Sequence, residues 1–206
     1  MQANARAPRP SPSNAERSSA NHGMMTMPFV RSLPKGASLL NLFKAFPETS
    51  VPLIRFHEAL LRGPSPFTEG ERELIAAYVS GLNHCRYCHG VHSATAELLG
   101  IKREMVDSRI DIDGVAIDPK MLPVLRYARK LTQQPNSLTQ ADADAIFAAG
   151  WEESALYYAV AVTALFNFMN RLVEGMGIEL DPNYVKPASE RLARRGYLPL
   201  IDMISK

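Results

Sequence analysis

Glu73, Cys85, Cys88 and His92 are the residues whose types and spacing can do chemistry together. The two cysteines are the only ones in 206 residues, and three of the five histidines, His84, His89 and His92, stand beside them. On a helix, Cys85, Cys88 and His92 fall at i, i+3 and i+7, which is one face. Thiols at i and i+3 have Cα atoms roughly 5 to 5.5 Å apart, close enough to cycle between dithiol and disulfide without unwinding the turn. In the first two turns both feel the positive end of the helix dipole, which favours the nucleophilic thiolate. His92 is one turn from Cys88 but two turns, roughly 10 Å, from Cys85, so its direct partner is expected to be Cys88. His89, four residues from Cys85, is the candidate to serve that sulfur. Glu73, separated from Cys85 by eleven residues, is spaced to return to the N-terminal end of the cysteine helix. There its carboxylate could take a proton from a thiol, directly or through water.

The elements that must position these residues read as helix after helix, with no alternating apolar and polar run that would argue for a strand, so the fold class is all-α. Short helices are expected over Ala37 to Ala45 and Val51 to Arg62, the second stopped at Gly63-Pro64. Thr68 and Glu71 form a capping box that starts the helix carrying Glu73. Gly81 is expected to end that helix and Asn83 to cap the next, which runs from His84 to Leu99 and closes at Gly100. Further helices are expected near Lys102 to Ser108, Pro119 to Gln133, Thr139 to Ala149 and Pro187 to Arg195, the last on the surface. Trp151 to Met176 reads as a long helix, apolar on nearly every side and so buried in the domain centre or at a subunit interface. Its polar residues Thr163, Asn167, Asn170 and Glu174 follow one ridge; Asn167 and Asn170 are candidates to support the site. Tyr87 and His89 join them as possible supporting residues, whereas His57 and His84 read as surface or helix-end residues.

With 46% apolar residues, the chain is long enough for one well-packed unit, expected over 28–206, with a motif-bearing core at about 50–130. Residues 1–27, rich in Pro, Ser, Asn and Ala, read as a disordered tail that offers too little apolar surface to offset ordering; Met24, Met25 and Met27 are candidate true starts. A net charge of +2, from 23 basic and 21 acidic side chains in mixed sign, gives no field that would select nucleic acid or an anionic membrane. The apolar run Ala155 to Met169 falls short of the roughly 20 residues of a membrane span. No secretory signal is legible, and a cytoplasmic, reducing location is expected, where Cys-x-x-Cys is redox-active or metal-binding more often than a staple.

The four residues also carry a family resemblance. Glu73, Cys85, Cys88 and His92 resemble, without a gap, the Glu-x11-Cys-x2-Cys-x3-His motif of the alkylhydroperoxidase D family, within the carboxymuconolactone decarboxylase-like superfamily. Thr68 to Ala76 and Ala94 to Leu99 look like that family's core, and Asn167 to Gly177 is similar to its peroxidase-related branch. The resemblance implies a helical bundle and a thiol-dependent peroxidase in which Cys88 attacks the hydroperoxide, Cys85 resolves the sulfenic acid to a disulfide, His92 is the base and Glu73 the relay carboxylate. It implies no metal or organic cofactor, an external dithiol reductant of lipoyl or thioredoxin type, and a homo-oligomer. The family's best-known members have a second histidine between the cysteines, where this chain has Tyr87.

Other readings compete. Cys85-Arg86-Tyr87-Cys88-His89 satisfies the attachment pattern for c-type haem, and Cys85, Cys88, His92 and Glu73 could ligate zinc. Inert core cysteines are the plainest alternative. Among functions, an acid–base enzyme of the decarboxylase type would use His92 and Glu73 alone, and a redox sensor or adaptor would use the cysteines without turnover.

Overall fold

The computed structural model describes residues 27–106, 112 and 117–205. The expected tail lies outside the described residues except for Met27, as does the end of the helix expected over Lys102 to Ser108. Among the described residues there are ten α-helices, one 3-10 turn at Pro135–Ser137 and no strand. The helices are α1 (Leu39–Ala45), α2 (Pro47–Leu61), α3 (Glu69–Leu82), α4 (Arg86–Leu98), α5 (Arg103–Val106), α6 (Met121–Gln133), α7 (Gln140–Ala148), α8 (Glu153–Gly175), α9 (Pro182–Arg195) and α10 (Pro199–Ile204). The all-α expectation is met.

Local chemistry starts and stops these helices. Thr68 forms the expected capping box: its hydroxyl accepts the Glu71 N–H while Glu71 accepts the Thr68 N–H, an arrangement that stabilises a helix start by about 1 kcal/mol. Thr139 and Asp142 do the same for α7. Pro47 occupies the first turn of α2 and Pro182 that of α9, where the missing N–H has no intrahelical partner to lose. Two expected starts therefore move earlier, α2 to Pro47 and α9 to Pro182, with Pro187 accommodated inside α9.

The core is built on α3. It buries every residue from Arg72 to Ser80 and packs against α4, α8 and α6. Arg72 within that run is satisfied by the Leu60 and Gly63 carbonyls at the end of α2. The expected position of the long helix is partly met: α8 buries Ala155, Val162, Phe166, Met169 and Val173 but leaves Tyr157 and Phe168 exposed. At 23 residues it is long and apolar enough to cross a membrane, a correction to the shorter run read from sequence. Here it is a core helix, whose buried Thr163 and Asn170 face protein.

The last two helices were read least well. Far from lying on the surface, α9 packs along α4 and buries Ala188, Ser189 and Leu192. Gly196, with φ +66, then turns the chain so that the Tyr197 N–H donates to Glu58 Oε2 at 2.6 Å, and α10 packs on α1 and α2. A Cβ at Gly196 would stand 2.5 Å from that same Glu58 oxygen, whereas one at Gly100, also at positive φ, would meet nothing within 4 Å.

Both Gly196→Ala and Gly100→Ala are expected to lose stability from positive φ, by about 1 kcal/mol or more. Gly196→Ala should lose at least about 1 kcal/mol beyond Gly100→Ala, because it also displaces the partly buried Tyr197–Glu58 hydrogen bond. Denaturant unfolding of the two variants checks this; equal losses would contradict the role given to the Glu58–Tyr197 contact.

Candidate active site

The turn between α3 and α4 delivers the cysteines. Asn83 ends α3 instead of capping α4, His84 takes the left-handed conformation at φ 57, and Cys85 becomes the N-cap of a helix that starts at Arg86. The Cys85 N–H donates to the Ser80 carbonyl at 2.9 Å, and Asn83 Nδ2 donates to Asn167 Oδ1 and Asn170 Oδ1 on α8. Asn170 in turn donates to Ser80 Oγ at 3.0 Å. The two asparagines picked from the polar ridge thus hold the cysteine turn from behind and do not line the cavity in front of it. A left-handed non-glycine residue costs about 1 to 3 kcal/mol, and this amide network is what holds it.

Glu73 lies at the centre. Its carboxylate is fully buried, and its oxygens accept three hydrogen bonds: Arg62 Nη2 at 2.6 Å and the Tyr197 hydroxyl at 2.9 Å on Oε1, and His92 Nδ1 at 2.6 Å on Oε2. Burial pushes this carboxyl up, but the charge and hydrogen bond of His92, then those of Arg62, outweigh it and hold it at about 2. Burial works most strongly against the Arg62 guanidinium too, and the charges of Glu73, Tyr197 and Glu69 together with the Glu73 hydrogen bond outweigh it, so that its pKa is raised. Tyr197 is pushed well above its usual range, first by burial and then by Glu73, and stays a donor. Glu73 therefore meets His92 and neither thiol, which corrects the expectation that it would take a proton from a cysteine. With both oxygens occupied it also drops out of the zinc set.

In front of this cluster is a cavity of about 60 Å³. Cys88 and His92 line it together with Tyr87, Val91, Phe166, Met169, His57, Tyr184 and Arg191; Cys85 does not. Since Nδ1 of His92 is committed to Glu73, Nε2 is the nitrogen left for the cavity. The His92 ring is fixed edge-on to Phe166 at 4.5 Å. Both cysteines are free and buried. The hydrogen bond to Cys88, followed by burial and the charge of Cys88, pushes the Cys85 thiol far above its usual range. The helix dipole was expected to favour both thiolates; at Cys85 it is overridden.

The flanking residues sort differently from the expectation. His89 donates from Nδ1 to the Ala77 carbonyl at 3.0 Å, and among the described residues it makes no hydrogen bond to Cys85. Tyr87 is buried and stacks on Tyr184, ring centroids 5.9 Å apart. His57, read as a surface residue, is buried, donates from Nδ1 to the Leu53 carbonyl at 2.8 Å, and lines the cavity. Burial, eased by that carbonyl, lowers its pKa to about 4. Sequence reasoning missed Arg62, Tyr197, Tyr184 and Arg191. The apolar stretch Tyr197 to Ile201 after Arg195 was the signal that the C-terminal segment returns to the core.

His57 and Glu73 both ionise at lower pH in the folded chain than in the unfolded one, where the ordinary values are 6.5 and 4.5. The unfolded chain binds the extra proton, so stability is complete above these ordinary values. It falls from pH 6.5 toward 4 through His57, and from pH 4.5 toward 2 through Glu73. His57→Phe, which keeps a ring against Phe166 and Tyr197, is expected to remove the upper loss, about 3 kcal/mol between neutrality and pH 4. Urea unfolding across that range tests it, and an unchanged slope would contradict the assignment.

The comparisons with known proteins agree with this all-α fold. Residues 47–130 match the model of the carboxymuconolactone decarboxylase family. No curated protein matches the chain. Among solved structures, a peroxidase-related protein from Silicibacter sp. TM1040 superposes with a TM-score of 0.65 at 24% identity, over 70% of this chain and 76% of that one. The alkylhydroperoxidase AhpD core of a peroxidase-related protein from Ralstonia eutropha JMP134 gives 0.63 at 24% identity, with the same coverage. The debrominase Bmp8 in its apo form gives 0.62 at 18% identity, over 84% of this chain and 83% of that one. The segment 47–130, which holds Glu73 and both cysteines, thus matches the carboxymuconolactone decarboxylase family model, and the chain has an all-α fold similar to that of the AhpD-like peroxidase-related structures.

Proposed function

We propose that this protein is a thiol-dependent peroxidase. The observation that carries the reading is the line Glu73–His92–Cys88: a buried carboxylate fixes the proton of His92 on Nδ1, and the other ring nitrogen shares a cavity with a free thiol one helical turn away. In this reading His92 Nε2 takes the Cys88 proton, as a positioned base does in other activated nucleophiles. The thiolate attacks the nearer peroxide oxygen of R–OOH, the O–O bond breaks, and His92 returns the proton to the leaving alkoxide. Cys88 is oxidised to the sulfenic acid and R–OH departs.

Cys85 then attacks the Cys88 sulfur. Its own proton leaves with the hydroxide as water, and a Cys85–Cys88 disulfide remains. An external dithiol of lipoyl or thioredoxin type, at home in a reducing cytoplasm, reduces the disulfide and is itself oxidised. The raised pKa of Cys85 suits a thiol that waits protonated until the sulfenic acid forms. Self-association belongs to the same proposal, supported by the exposed Tyr157 and Phe168 on α8.

A second reading is favoured by one observation: the Glu73–His92 pair is complete without either sulfur. Such a pair could serve an acid–base enzyme of the decarboxylase type, with the cysteines as bystanders.

Peroxide consumption with dithiothreitol or dihydrolipoamide as reductant tests the choice. Cys88→Ser is expected to abolish turnover and His92→Gln to lower it by about 10²-fold or more. Turnover in Cys88→Ser equal to that of the unsubstituted protein would sink the peroxidase reading, and a Cys85→Ser/Cys88→Ser protein that turns over a lactone-type acid would establish the second.

A further inference from the structure

The proposed mechanism leaves one charged group in the cavity without a task. Tyr184, Ala188, Arg191 and Leu192 recur on the α9 face that packs on α4, and all four line the cavity. Arg191 Nη2 donates to the Tyr184 hydroxyl at 3.2 Å. Its Nε is buried and has no hydrogen-bond partner, and among the described residues no carboxylate pairs with it. Arg62 Nε is likewise buried without a hydrogen-bond partner, but the Arg62 guanidinium is neutralised by Glu73 and stands 3.5 Å from Glu69, and among the described residues Arg191 has no such counterpart. A buried guanidinium donor without an acceptor is costly, and native proteins leave few such groups unless something else completes them.

Around Arg191 the walls are apolar: Leu39, Phe43, Met169 and Leu200. Tyr184, which accepts from Arg191, stacks on Tyr87, the residue between the two cysteines. The cavity therefore holds an unpaired cation and the reactive Cys88–His92 pair within one largely hydrophobic enclosure.

We infer that Arg191, held by Tyr184, binds a carboxylate on the molecule that enters this cavity, so that the substrate is an apolar acid. Combined with the peroxidase reading, on which this statement about substrate rests, the class is a hydroperoxide whose apolar body also carries a carboxylate. A carboxylate can take two parallel N–H donors of one guanidinium, Nε and Nη2 among them, and such charge-assisted pairs are the strong ones.

Calorimetric titration of the reduced full chain with octanoate and with octan-1-ol separates this from the redox chemistry, because neither probe is a peroxide. Octanoate is expected to bind about tenfold or more tightly than octan-1-ol. Arg191→Ala should weaken octanoate by about tenfold while leaving octan-1-ol within about twofold, and Arg191→Lys should retain part of the preference. Thermal unfolding of each variant confirms that it is folded; if Arg191→Ala is not, Arg191→Gln replaces it. Octanoate that binds no better than octan-1-ol, or a preference that survives intact in the uncharged Arg191 variant, overturns the inference. A protein that consumes no peroxide yet binds octanoate through Arg191 sinks the peroxidase reading and keeps the anion site. Peroxide turnover without carboxylate preference does the reverse.

Discussion

Everything at the site depends on one buried carboxylate. Glu73 is removed from water, and only the three donors around it make that tolerable: Arg62 from the end of α2, His92 from α4, and Tyr197 from beyond α9. Taking an ion out of water costs several kcal/mol, which is recovered only when its partners are close and its lone pairs are filled. Removing one partner of such a set leaves a charge stranded, so the four residues stand or fall together. Their positions in the chain, 62, 73, 92 and 197, make this cluster a tie between segments that share no local structure.

The chemistry follows from what that tie imposes on its neighbours. Because Glu73 takes the His92 Nδ1 proton as a hydrogen bond, the imidazole is locked in rotation and its second nitrogen is assigned to the cavity. Because the α3–α4 turn makes Cys85 an N-cap and buries it behind Cys88, the two thiols are unequal although they are three residues apart. One borders the cavity beside the base; the other is buried away from it, with its thiol pKa pushed up. A Cys-x-x-Cys pair on a regular helix would not have been divided so sharply. The division is made by the left-handed His84 and by the asparagines on α8 that hold Asn83.

What was legible in the sequence was local. Thr68 and Glu71 announce a helix start three residues apart, and Gly100 announces a stop, so the helices that carry Glu73 and the cysteines could be read within two residues of their true bounds. The pairing of His92 with Cys88 needed only the pitch of a helix. The prolines misled in both directions: Pro187 was taken as a start when α9 had begun at Pro182, and Pro47 was not recognised as the first turn of α2. Arg62, His57 and Arg191 were not legible for a different reason. Each acts through contacts that close only after α2, α4 and α9 have packed, and nothing in its own neighbourhood distinguishes it from a surface residue. Tyr87 could be named as the departure from the motif the sequence resembles, but its stacking on Tyr184, ninety-seven positions later in the sequence, could not.

The central claim is that Glu73 places the His92 proton on Nδ1 and frees Nε2 as the base that serves Cys88. Nitrogen-15 spectroscopy of histidine-labelled Cys88→Ser protein, near neutral pH where no thiolate at that position competes for the proton, reads the tautomer directly. The account predicts a protonated Nδ1 and a bare Nε2 for His92, with that preference lost in the Glu73→Gln form of the same protein. A proton found on Nε2 with Nδ1 bare, or a tautomer indifferent to Glu73, would contradict it.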